Sequence, residues 1–159
     1  MAVAGAAAIL EPDASRLWLD CALGWVLLTL GWIDARYLRL PDVLTLPLIP
    51  AGLVVALVRT PDEILDRALA AVAGYACLRA VALGYRAWRG REGLGQGDAK
   101  LLAAAGAWVG LAAVFNVLLG GAIITLLTVL PRAHRLTAAT ALPFGPGLCL
   151  AFWLTWLWS

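Results

Sequence analysis

Charge is what this chain has least of. Only 14% of its 159 residues are charged, 63% are hydrophobic, and the mean hydropathy is +0.88. A soluble domain carries roughly 45–50% apolar and about 25% charged residues, so a water-soluble globule is excluded and an integral membrane protein is implied. Cysteine is almost as scarce. Cys21, Cys77 and Cys149 lie far apart, each in an apolar run and with no CxxC pair, which supports neither a zinc site nor a disulfide framework. They read as small buried hydrophobes. The single histidine, His134, stands in a basic loop with no His/Glu cluster near it. That leaves no metal-ligand set and no Cys/His nucleophile, and no Ser/Lys pair stands out either. Neither a cofactor nor a nucleic-acid partner is indicated. The opening residues, Met1 to Leu10, lack a basic start and lead into Glu11 and Asp13. They therefore read as part of an N-terminal tail over residues 1–16, not as a cleaved signal.

Against that apolar background the few acids stand out. Residues Gly93-Leu94-Gly95-Gln96-Gly97-Asp98 place three glycines at alternate positions before an aspartate, and an apolar run follows at once. Glycine at this density lets a backbone pass close to another surface or to a ligand. Asp98 stands at the mouth of a segment too hydrophobic for an ordinary soluble helix. Asp34 ends another such segment. A carboxylate at membrane depth is expensive, and such an acid is by default a functional candidate.

The spans follow from hydropathy. Leu17 to Ile33 is the first, with Asp20 near its outer end in a structural role. Asp34 to Asp42 is a short polar link, and Asp42 is placed to cap the next helix, which runs from Val43 to about Val58. Pro50 bends that helix, while Pro47 falls where it costs little. Arg59 to Arg67 reads as a polar loop. The third span, Ala68 to Tyr85, is rich in Ala and Gly, which permits close helix contact. Within it Arg79 either snorkels to the interface or contacts substrate. Asp98 to Leu130 is too long for one span of about 20 residues, and Gly110 is the natural break. The last span runs from Pro143 to Trp158.

These six spans predict a single all-α membrane domain, a bundle of about six transmembrane helices embedded in the lipid bilayer. Eight tryptophans suit its interfaces. The first, third and fifth loops hold Arg36, Arg39, Arg86, Arg89, Arg91, Lys100, Arg132 and Arg135, and the positive-inside rule makes those loops cytoplasmic. Asp34 and Asp98 then reach one depth at the cytoplasmic boundary. Two carboxylates there can act as a dyad, one polarising a carbonyl and the other activating water. Asp98 begins a helix, where the macrodipole favours an anion, and Asp34 ends one, where it does not. Asp98 is therefore expected to be the more ionised of a jointly titrating pair.

The residues here resemble a known family. The Gly95-Gln96-Gly97-Asp98 signature sits in the context Glu92 to Leu101. With it come the block from Asp34 through Leu40-Pro41-Asp42 to Pro47, and the terminal Pro143-Phe144-Gly145-Pro146. Together they resemble type IV prepilin peptidases, the GxGD intramembrane-type aspartyl proteases, from about Ile33 onward. The resemblance implies an aspartic endopeptidase of the bacterial inner membrane. It would remove the basic leader from prepilins or pseudopilins at the cytoplasmic face. Asp34 and Asp98 match the catalytic positions. Gly95 and Gly97 would keep the backbone slim for substrate to reach Asp98, while Lys100 and Glu92 would be structural or orienting. Many relatives carry an added N-terminal region with paired CxxC motifs linked to N-methylation. Its absence from this sequence predicts peptidase action without use of S-adenosylmethionine. The rival readings are an inactive membrane partner in pilus or secretion-system assembly, a proton or ion carrier, and a GxGD protease of the presenilin or signal-peptide-peptidase kind.

Overall fold

The computed structural model describes residues 2–90, 95–130 and 143–158, with side chains from Arg16 onward. Among these residues the chain forms six α-helices and no strand: α1 (Ala2–Tyr37), α2 (Asp42–Arg59), α3 (Ile64–Arg89), α4 (Gln96–Val109), α5 (Leu111–Val129) and α6 (Gly145–Leu157). A 3₁₀ turn, Pro61–Glu63, precedes α3. The all-α membrane bundle predicted from hydropathy is the architecture found.

Several boundaries differ from the sequence prediction, each for a local reason. The stretch expected to be an N-terminal tail is helical and continuous with α1, in keeping with its many alanines, the strongest helix formers. The expected polar loop at 59–67 shrinks to a break at Thr60, where φ is −139°. Pro61 then starts a new turn, and Asp62, Glu63 and Asp66 place acids at the helix start, where the macrodipole favours them. Pro47 and Pro50 both lie inside α2.

Four helical stretches are long and apolar enough to cross a membrane: Arg16–Tyr37, Asp42–Arg59, Pro61–Arg89 and Leu111–Val129. This is a multi-pass membrane protein. The other two helices, α4 and α6, have 14 and 13 residues, about 20 Å each at 1.5 Å per residue, short of a hydrocarbon core near 30 Å. Their shortness is tolerated because both lie largely inside the protein. From Leu101 to Gly110 every residue is buried, and α4 packs against α2, α3, α5 and α6. The helix α6 in turn packs against α1 and α5. The fold is thus a sleeve of helices around one short helix that is buried from Leu101 to its end.

Small residues make that enclosure possible. A Cβ added at Gly106 would lie 2.4 Å from the Ala70 carbonyl oxygen, so α3 and α4 meet backbone to backbone. The α4–α5 break falls at Gly110, as the length of the apolar run predicts. Its φ of +82° suits glycine, and a Cβ there would strike Asp66 Oδ2 at 2.7 Å. That same oxygen accepts the Leu111 N–H at 2.9 Å and opens α5.

The end of α4 next to Gly110 is held by polar contacts on several sides. The Trp108 indole N–H donates to the Leu48 carbonyl at 2.8 Å. Arg67 donates to the Trp108 carbonyl and pairs with Glu63 at 2.8 Å. The Trp108 ring meets Trp156 edge-on, with centroids 5.1 Å apart. Trp156 donates to Asp20 Oδ1 at 2.7 Å, which gives Asp20 the structural role expected of it.

Candidate active site

At its opposite end α4 carries Asp98 in its first turn, while Asp34 lies in the last turn of α1. Among the described residues the buried polar or charged side chains are Asp34, Asp98 and Thr45, and the two acids are only 5% and 7% exposed. They lie within electrostatic reach of each other. Cys149, on the α6 wall, lies within reach of both. Remote in sequence, these acids share one end of the bundle, as the topology predicts.

Each carboxylate is positioned by backbone. Asp34 Oδ2 accepts the Gly145 N–H at 2.9 Å, across 111 residues of chain. This N–H opens α6, so it is one of the donors a helix start leaves without an internal partner. Only glycine fits there, since a Cβ at residue 145 would lie 2.6 Å from Asp34 Oδ2. Asp98 accepts the Gly95 N–H at its own helix start. Its Oδ1 is fully buried and has no hydrogen-bond partner among the described residues. A buried acceptor left unmatched is unfavourable by about 1–3 kcal/mol, and unmatched groups of this kind gather at sites of chemistry.

Two expectations about the remaining site residues are corrected by the structure. Asp42 does not cap α2. The capping position belongs to Pro41, and Asp42 is the first helical residue. Its Oδ1 instead meets Lys100 Nζ at 2.6 Å. The start of α2 is tied by Thr45, whose hydroxyl and N–H both donate to the Pro41 carbonyl. Gly97 is not an open approach for substrate, because a Cβ there would lie 2.6 Å from Leu40 Cβ. Its slimness serves the packing of the 38–41 link against α4. Gly95 is exposed and forms the α4 cap. Glu92 lies outside the described residues, as does His134.

Gly145 stands within the terminal Pro143-Phe144-Gly145-Pro146 motif, but nothing local in the sequence ties it to Asp34. Only the fold reveals the contact, because it joins α1 to α6. Beside this contact, a groove of about 370 Å³ runs along the α1–α6 seam, lined by residues including Gly24, Gly31, Trp32, Ala35, Pro146 and Cys149. Among the described residues no three His, Cys, Asp or Glu side chains gather as a metal would require.

The family model for the type IV leader peptidase family matches residues 21–130, a stretch that contains both aspartates. The chain belongs to that family. A prepilin leader peptidase/N-methyltransferase of Aeromonas salmonicida is 41% identical over 141 residues, which are 86% of this chain and 48% of that protein. One from Dickeya chrysanthemi is 42% identical over 128 residues, covering 79% and 45%. One from Pseudomonas aeruginosa is 38% identical over 139 residues, covering 86% and 48%. The chain therefore spans about half the length of the curated relatives it matches. No solved structure matches. Family membership and spanning helices together describe a multi-pass bacterial membrane protein.

Proposed function

We propose that this protein is an aspartic endopeptidase that cuts the basic leader from prepilins or pseudopilins. One observation carries the reading. Two buried carboxylates, remote from each other in sequence, lie within electrostatic reach at one end of a membrane bundle, and one oxygen of Asp98 has no partner among the described residues. Structural carboxylates in an apolar interior are normally matched with cations or donors. Among the described residues these are held by one backbone N–H each.

In the proposed reaction the pair shares one proton. Asp98, at the positive end of the α4 dipole, is the ionised member. Its Oδ1, buried and without a partner among the described residues in the resting structure, takes a proton from water as that water attacks the scissile carbonyl. Asp34 is steadied through Oδ2 by the Gly145 N–H, and its other oxygen donates a hydrogen bond to the carbonyl oxygen. Collapse of the tetrahedral intermediate passes the proton to the departing amine and frees the mature N-terminus. The pair titrates as a unit.

The basic residues support the placing of this end in the cytoplasm. Arg36, Arg39, Arg86, Arg89 and Lys100 lie at the ends of α1 and α3 and the start of α4, and Arg36 and Arg89 each lie 5.0 Å above a tryptophan ring, Trp32 and Trp88. Such pairs suit the headgroup layer on the cytoplasmic side of an inner membrane.

The test is co-expression with a prepilin and N-terminal sequencing of the product. Wild type should release a shortened subunit with one defined new terminus, and Asp34→Asn and Asp98→Asn should leave the leader in place. Cleavage by either variant at the wild-type rate would end the dyad reading.

A further inference from the structure

Asp98 is gripped on both sides in sequence by contacts to one short segment. After it, Lys100 reaches across 58 residues of chain to Asp42 at the start of α2, with Nζ 2.6 Å from Oδ1. Before it, Gly97 lies hard against Leu40. Leu40 and Asp42 belong to the link that leaves Asp34's own helix. In that link Leu38 holds the left-handed conformation, with φ +53°, an uncommon state for a branched residue. Such a conformation persists where its surroundings over-determine it.

We infer that the Lys100–Asp42 ion pair, with the Leu40–Gly97 contact beneath it, is a latch that keeps Asp98 in register with Asp34. Lys100 and Asp42 are positioning residues for the proposed cleavage, and the inference rests on that reading. The Lys100 side chain is 23% exposed and that of Asp42 55%. An ion pair so open to water adds little to folding stability. Its effect is on geometry, because a displacement near 1 Å at a reacting group can lower a rate about a hundredfold. A latch of this kind therefore affects rate far more than stability.

The experiment uses the full chain, purified in detergent, with a prepilin as substrate. Lys100→Met and Asp42→Asn should each lower kcat roughly ten- to a hundredfold, with KM and the unfolding midpoint close to wild type. The double neutral variant should be no slower than either single one, because the two residues make one contact. Lys100→Arg and the exchanged pair Asp42→Lys/Lys100→Asp should recover most of the rate. Singles at the wild-type rate, exchanged pairs as slow as the neutral ones, or a rise in KM at constant kcat would each overturn the latch. Hydrogen exchange over the first two turns of α4 reads the latch without activity. It should quicken in the neutral variants and return to normal in the exchanged pair, and unchanged exchange would overturn the inference. If wild type leaves the prepilin uncut, the peptidase reading falls and exchange alone decides the latch.

Discussion

The two ends of α4 are built on opposite terms. At one end Trp108, Arg67 and Asp66 find partners on α2, on the 3₁₀ turn and at the α5 start. At the other end Asp98 keeps one buried oxygen without a partner among the described residues, and the Lys100–Asp42 ion pair two residues along the chain is partly open to water. The satisfied end anchors the helix, and the unsatisfied end has the free valence that chemistry requires. A short helix enclosed along most of its length can carry such an imbalance, because the far end fixes its depth and rotation. On the proposed function, stability and reactivity are thus separated along one helix.

The largest expected effects would break that comparison at the open end. Asp98→Asn and Asp34→Asn should each lower cleavage about a thousandfold or more, within the range that loss of a general acid or base produces. For Asp98→Asn the unfolding midpoint should stay level or rise, since a buried charge without full solvation is removed, and for Asp34→Asn, which exchanges one neutral side chain for another, it should stay close to wild type. Initial rates and thermal unfolding on the same preparations check both halves. Trp108→Ala at the closed end should do the reverse. It removes a buried ring and an indole hydrogen bond, destabilising by about 3–5 kcal/mol, while the fraction that remains folded cleaves normally. A midpoint shift measured beside rate per folded molecule would show it. Gly145→Ala sharpens the account of Asp34. A methyl 2.6 Å from Oδ2 must push the carboxylate aside, with a loss of about a hundredfold in kcat and little change in unfolding. The smallest effect is that of Asp66→Ala, which removes the acceptor at the start of α5. It should lower stability by about 1 kcal/mol, as loss of a helix cap does, and leave cleavage unchanged.

Much of this was legible in the sequence because the bilayer makes acids conspicuous. Asp34 and Asp98 stand out since a carboxylate in an apolar run needs a reason, and the α4–α5 break at Gly110 follows from span length. What stayed hidden depends on pairing across the bundle. The Gly145 N–H reaches Asp34 over 111 residues, and no local pattern foretells that contact. Asp42 looks like a cap on local grounds, because an aspartate before an apolar helix usually is one. The alternative, Lys100, is 58 residues away. The enclosure of α4 was hidden for another reason. In a chain that is hydrophobic throughout, apolar residues facing lipid and apolar residues facing protein look alike, so periodicity says little about which helix is central.

The most direct test of the shared site is a double-mutant cycle on its two acids. Residual cleavage is measured for Asp34→Asn, Asp98→Asn and the doubly substituted protein. If the carboxylates act as one unit on one amide bond, the double variant is no slower than the slower single one, since the mechanism is already lost. Losses that multiply, with each substitution lowering the rate independently of the other, would contradict the dyad.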